Sequence, residues 1–160
     1  MRYKHSLTVL SLVACIVTSH VAVSKQLTHS MIGSGSLDDP VVLKDGKTQS
    51  ITNLSKGSSE YFIYRVTKDT IGGIELGTDY DSDTQMFIKQ GAAPTATDYQ
   101  CKPKVVVEQT EGLKYKSQTC SFSHMVKGDY WVLLESYSNI KKAAIGATSE
   151  DVSDNPFNQR

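Results

Sequence analysis

Chemically reactive side chains are scarce in this 160-residue chain, which has three cysteines, four histidines and one tryptophan. Acidic and basic residues balance at 17 each, and no long basic run appears after the first few positions. Without a basic stripe there is no electrostatic footprint for a nucleic-acid partner. Long hydrophobic runs are also lacking, save one from Leu7 to about Val17. A membrane-spanning helix needs about 20 predominantly apolar residues, and Thr18, Ser19 and His20 interrupt this run before that. With Arg2, Lys4 and His5 ahead of it, the run reads as a secretory signal covering residues 1–24.

Two processing sites compete. Ala22-Val23-Ser24 offers small residues where the general signal peptidase reads them, while Leu12-Val13-Ala14-Cys15 resembles a bacterial lipobox that would put lipid on Cys15. The stretch after Cys15 stays apolar where a solvated tether is expected, which favours cleavage after Ser24. The expected location is then secreted or periplasmic, with lipid anchoring in the envelope as the alternative. About 136 residues remain, enough for one domain with a single core.

With Cys15 in the signal, Cys101 and Cys120 are the two cysteines of the exported part. An even count in an oxidising compartment predicts a disulfide, with two buried free thiols as the other reading. His5 and His20 leave with the signal, so His29 and His124 alone remain for acid–base or metal chemistry. No Gly-x-Ser-x-Gly elbow accompanies them, and "GSGS" at 33–36 lacks both a preceding strand and a following lysine-bearing helix. Glu60, Glu75, Glu108, Glu111 and Glu135 are scattered over separate runs. The sequence therefore names no catalytic residue.

From Val41 onward, short runs rich in β-branched and aromatic residues alternate with turn residues: "VVL", "QSITNL", "EYFIYRV", "TIGGIEL", "TQMFIKQ", "KVVVEQ", "QTCSFSHM", "DYWVLLES", "KAAIGAT". None is long enough, with helical period, to be a helix. This spacing predicts an all-β protein, an antiparallel β-sandwich. In "EYFIYRV", Tyr61, Ile63 and Arg65 face one way and Phe62, Tyr64 and Val66 the other. "DYWVLLES" is apolar on both faces for most of its length, which predicts a central strand. Asp45-Gly46, Lys56-Gly57 and Lys127-Gly128 fall between runs, where a turn needs positive φ. Residues 25–39 and 149–160 are polar and read as a flexible leader and a flexible tail around a domain at 40–148.

Two groups of residues are candidate binding elements. Asp79, Asp81 and Asp83 alternate like the start of a calcium loop, but Thr84 stands where such a loop needs glycine and Gln90 where it needs glutamate. A solvated turn is the competing reading, and calcium is the one cofactor considered. Of the eight tyrosines, Tyr80, Tyr99 and Tyr137 lie next to predicted turns and are expected to be exposed.

"DTQMFIKQGAAPTATDYQCKP" at 83–103, then "SQTCSF" and "KGDYWVLLESYSNIKKAAIGA", resemble the bacterial pre-peptidase C-terminal domain and the similar collagen-binding modules. Met86, Phe87 and Ile88 fall on the family's strand, Gly91, Pro94 and Thr95 on its turn, Tyr99, Cys101 and Pro103 on its cysteine segment. Thr119-Cys120 fall on the partner segment, and Gly128, Tyr130, Val132 and Leu134 on the last long strand, with Tyr137-Ser138 after it. The family's second aspartate is Gln85 here. The resemblance, over about residues 40–148, implies a jelly-roll-like sandwich with a Cys101–Cys120 bridge and a non-catalytic role beside secreted peptidases. Read as a freestanding copy, the chain is expected to act in trans, as a chaperone or inhibitor of a secreted peptidase that uses Pro156 and Phe157 of its tail. The alternative is an adhesin-like module that binds matrix protein or polysaccharide through Tyr99 and Tyr137.

Overall fold

The computed structural model describes residues 33–151. Residues 1–32 and 152–160, and with them Cys15, Ser24, His29, Pro156 and Phe157, lie outside the described residues. Nine strands form two sheets: β1 (Val41–Leu43), β2 (Lys47–Leu54), β3 (Ser59–Val66), β4 (Thr70–Asp79), β5 (Thr84–Gln90), β6 (Val106–Thr110), β7 (Leu113–Met125), β8 (Gly128–Ser136) and β9 (Ile140–Asp151). The four-stranded sheet has the order β1-β3-β8-β5 and the five-stranded sheet β2-β9-β4-β7-β6. Chain order and sheet order differ in the manner of a jelly roll. Every pairing is antiparallel except β1 with β3, which is parallel over three residue pairs. Because β2 belongs to the other sheet, the chain re-enters beside β1 in the same direction.

The period of two fixes which side chains meet between the sheets. Phe62, Tyr64 and Val66 of β3, Met86 and Ile88 of β5, and Tyr130, Val132 and Leu134 of β8 join one core cluster with Ile51, Ile74, Leu76, Ile145 and Ala147 of the facing sheet. Strand β8 pairs with β3 on one side and β5 on the other, so it is central, as its apolarity predicts. Gly46, Gly57 and Gly128 take φ of 63°, 81° and 146°, which meets the turn expectation. In β4, Gly72 is needed for a different reason: a Cβ there would lie 2.3 Å from the Thr148 carbonyl oxygen of β9.

The disulfide joins Cys101 and Cys120 with a Cα–Cα distance of 6.2 Å. It ties the segment after β5 to β7 in the opposite sheet, at the base of the β6–β7 hairpin. Gln118 makes a second tie. Its buried amide donates to the Thr84 carbonyl at 3.1 Å and hydroxyl at 2.9 Å, and accepts from the Met86 N–H at 2.9 Å and Gln85 Nε2 at 3.1 Å.

Two stretches that read as flexible ends belong to the fold. The Ser34 and Gly35 N–H groups each donate to the Asp39 carbonyl at 3.0 Å, and the Tyr61 N–H donates to the Gly35 carbonyl at 2.8 Å, so residues 33–39 form a closed turn docked on β3. At the other end, Ser149, Glu150 and Asp151 continue β9 and pair with Gly72, Ile71 and Thr70. Their polarity fits the end of an internal strand, and composition alone does not separate that from a tail.

Candidate functional site: an aromatic sheet face

The side chains of the four-stranded sheet that point away from the core form cross-strand rows. One row runs Val42, Ile63, Trp131, Lys89 and the next Tyr61, Leu133, Phe87, each residue opposite its neighbour. Arg65 opposite Asp129 and Glu135 opposite Gln85 bound the rows with charge and amide groups. Ile63, Leu133 and Phe87 are buried at 3%, 3% and 1% exposure although they lie outside the core cluster. Their cross-strand neighbours Tyr61 and Trp131 are half-buried.

Tyr99 and Tyr137 reach the same face. Tyr99 is exposed, with its ring 5.5 Å from that of Phe87 and tilted by 51°. Lys102 lies over the same Phe87 ring at 5.1 Å. Tyr137 is exposed and donates its hydroxyl to Glu135 Oε2 at 2.5 Å, which holds its pKa above the usual phenol range, with burial adding to the effect. The result is a rigid apolar floor studded with aromatic rings, flanked by Lys89 paired with Asp98 and by Arg65 paired with Asp129 at 3.5 Å. A stacking surface for a sugar ring, a proline or an aromatic side chain follows from this chemistry.

The outer face of the five-stranded sheet is different in kind. It is a shallow groove of about 960 Å³ lined mostly by Gly, Ala, Ser and Thr, with Phe122 its one aromatic side chain. It offers hydroxyls and backbone but no stacking floor.

The other candidates do not assemble a site. Asp79, Asp81 and Asp83 sit in the β4–β5 turn, which is used for structure: the Ser82 N–H donates to the Asp79 carbonyl at 3.0 Å, and the Asp83 N–H to the Ser138 hydroxyl at 2.7 Å. Among the described residues no three His, Cys, Asp or Glu side chains gather as a metal-binding group, so the three aspartates do not converge. Gln85, in place of the family's second aspartate, spends its amide on Gln118 and on the Pro103 carbonyl at 3.2 Å. Tyr80 is exposed as expected but lies under Lys114 and Lys116, at 5.6 and 5.7 Å, on the other sheet's side. His124 is an exposed residue of β7 at 3.3 Å from Asp69. The Lys127 N–H and then His124 hold the Asp69 carboxyl below its ordinary value.

Tyr61, Phe87 and Trp131 were not singled out from sequence as site residues. Their signal was the second apolar face of "EYFIYRV" and "DYWVLLES". In a central strand that face is read as covered, and here no further strand of the described residues covers it.

No family model matches the chain. It is 30% identical over 112 residues to a zinc metalloprotease of Helicobacter pylori, covering 66% of this chain and 38% of the relative. A hemagglutinin/proteinase of Vibrio cholerae matches at the same identity over 112 residues, with 16% of the relative covered. Among solved structures, the pre-peptidase C-terminal domain of a collagenase from Bacillus anthracis superposes with a TM-score of 0.48 at 11% identity, over 67% of this chain and 92% of that domain. The chain resembles the pre-peptidase C-terminal domains. It spans well under half the length of the curated relatives it matches. Among the described residues no helix is long and apolar enough to cross a membrane.

Proposed function

We propose that this chain is a secreted, non-catalytic binding module that serves a peptidase by holding protein or polysaccharide on the outer face of its four-stranded sheet. The observation that carries this reading is the aromatic face itself: Tyr61, Trp131, Tyr99 and Tyr137 surround buried Ile63, Leu133 and Phe87, and no further strand of the described residues lies on that face. Similarity to named proteases supports the peptidase setting, and the signal read in residues 1–24 supports export.

Rigid aromatic anchors give affinity at low entropic cost, because a sheet-borne ring has few rotamers to lose. The test is depletion of the protein from solution by insoluble collagen, chitin and cellulose, followed by calorimetry on whichever matrix binds. Trp131→Ala and Tyr61→Ala are each expected to weaken binding at least tenfold, equal to about 1.4 kcal/mol, and Tyr99→Ala and Tyr137→Ala by less. Unchanged affinity in all four variants would remove the face from consideration.

A second reading is an accessory role in trans, as chaperone or inhibitor of a secreted peptidase through the tail that carries Pro156 and Phe157. What favours it is the path of β9. Beyond Ala147 this strand has no β2 partner and pairs with β4 through Asp151, so, among the described residues, positions 149–151 form an extended strand with an unpaired second edge. A chain cut after Asp151 keeps all of β9. Loss of peptidase binding in that truncation, with matrix binding intact, would establish the tail reading over the first.

A further inference from the structure

The two sheets have four edges, and among the described residues three are short, capped or irregular and polar. Strand β1 is three residues long and follows Pro40 directly. Strand β5 has its outward N–H groups taken up: Met86 by Gln118 Oε1 at 2.9 Å, Ile88 by the Cys101 carbonyl at 2.8 Å and Gln90 by Gln100 Oε1 at 2.7 Å. Strand β2 is broken near its end by Asn53 at φ 58°, and none of its exposed side chains is apolar. The fourth edge, β6, pairs with β7 on one side and with nothing on the other among the described residues.

Edge strands in soluble proteins are normally blunted by proline, lysine, bulges or a covering loop. Strand β6 itself contains no proline, lysine or bulge, and Glu108 is its one charged side chain. Val105, Val106 and Val107 are 43%, 49% and 54% exposed, and Leu113 and Tyr115 on the other arm of the hairpin are exposed too. Among the described residues, five of the ten exposed large apolar side chains thus lie on this hairpin or directly before it, and the Cys101–Cys120 bridge holds its base. An apolar concentration on a braced edge marks an interaction surface.

Charge along this edge is segregated. Lys102 and Lys104 precede the valines, and Glu108 and Glu111 follow them. The sequence K-V-V-V-E is therefore complementary to itself when run antiparallel. We propose that β6 pairs with β6 of a second copy of this chain about a two-fold axis through Val106, joining two five-stranded sheets into one of ten strands.

Centred there, Val105 stands opposite the second copy's Val107, and Lys104 opposite its Glu108, twice by symmetry. Centring one pair further on would lose the lysine–glutamate match, and centring on Glu108 would set the two glutamates against each other. The two-fold axis stands perpendicular to the shared sheet, so both four-stranded sheets lie on the same side of it. Resting on the function proposed above, this presents two aromatic faces in one direction to a polymeric ligand. The second contact is then favoured by effective concentration, without any new contact chemistry.

The test is sedimentation velocity of the full chain from micromolar to submillimolar concentration, alongside Lys104→Glu, Glu108→Lys and the double exchange. Wild type is expected to double in mass as concentration rises, each single variant to weaken dimerisation at least tenfold, and the double variant to recover it. Oxidised Val106→Cys is expected to run as a covalent dimer, since opposed Cβ atoms lie about 4.5–5.5 Å apart. Oxidised Thr110→Cys is expected to stay monomeric, because the two-fold axis sets the paired Thr110 residues far apart. A wild type monomeric throughout, single variants that dimerise like wild type, or a double variant that does not recover would each overturn the pairing. A monomer whose Glu108→Lys variant loses binding to a peptidase would assign the edge to a peptidase strand instead and overturn it too. These outcomes do not depend on matrix binding, so failure of the dimer and failure of the aromatic face are distinguishable.

Discussion

Replacement of Gln118 by leucine tests how the two sheets are joined. Gln118 is 2% exposed and bonds four groups of β5: the Thr84 carbonyl and hydroxyl, the Met86 N–H and the Gln85 amide. Leucine has a similar volume, so the change separates polar loss from cavity formation. It leaves the Met86 N–H and the Thr84 carbonyl unpaired beside a buried apolar side chain. Each stranded group costs about 1–3 kcal/mol, and the added apolar carbons return about 1 kcal/mol. The expected net loss is about 3 kcal/mol.

For a domain of this size 1 kcal/mol corresponds to about 4 °C, so the melting temperature should fall by about 12 °C. Thermal unfolding followed by circular dichroism, with the disulfide intact, measures it. A urea titration with unchanged m-value would show that stability moved and compactness did not. A loss below about 1 kcal/mol would refute the reasoning, because the exposed edge of β5 would then be satisfied without Gln118.

Other perturbations follow from the same contacts. Converting Cys101 and Cys120 together to alanine should cost about 3 kcal/mol, the loop-entropy value for a closure of about 20 residues, read as a drop in urea midpoint relative to the oxidised protein. Tyr64 donates to Asp45 Oδ1 at 2.6 Å, and burial first, then that bond, pushes its pKa up to about 12. A raised folded-state value contributes stability that is present below about pH 10 and lost as pH rises toward 12, so Tyr64→Phe should flatten that part of the alkaline unfolding profile. Glu60 is pushed above its ordinary value by burial, and its Oε2 has no partner. Its neutral form is the better fit, so Glu60→Gln should stabilise the protein at pH 7, with the advantage shrinking as pH falls through the raised folded-state value and gone below about 4.5, where the carboxyl is protonated folded and unfolded alike.

The fold was legible because its determinants are local. Alternation in "EYFIYRV" and "DYWVLLES" assigns Phe62, Tyr64, Val132 and Leu134 to the interior, and the structure places all four in the core cluster. The cysteine count gives the bridge. What sequence could not give was the pairing of distant segments. Gln118 has no local mark of burial, since its partners lie more than 30 residues away on the opposite sheet. The parallel pairing of β1 with β3 depends on β2 belonging to the other sheet, a topological choice that no turn residue encodes.

The binding face was hidden by a different ambiguity. Period-two patterning states which side chains share a face and whether that face is apolar. It does not state whether anything lies above it. Trp131 and Leu133 alternate with Tyr130 and Val132 in a strand flanked on both sides, and a two-faced apolar strand is ordinarily covered on both. Here no further strand of the described residues lies on the second face, and half-buried Tyr61 and Trp131 stand beside buried Ile63, Leu133 and Phe87. A surface that buries its own floor is already desolvated before a ligand arrives. Truncating a floor residue such as Leu133→Ala should therefore lower stability and affinity together, whereas Trp131→Ala should lower affinity with a clearly smaller fall in melting temperature. Equal effects on stability from the two variants would mean that Trp131 is structural cover and that the ligand binds elsewhere.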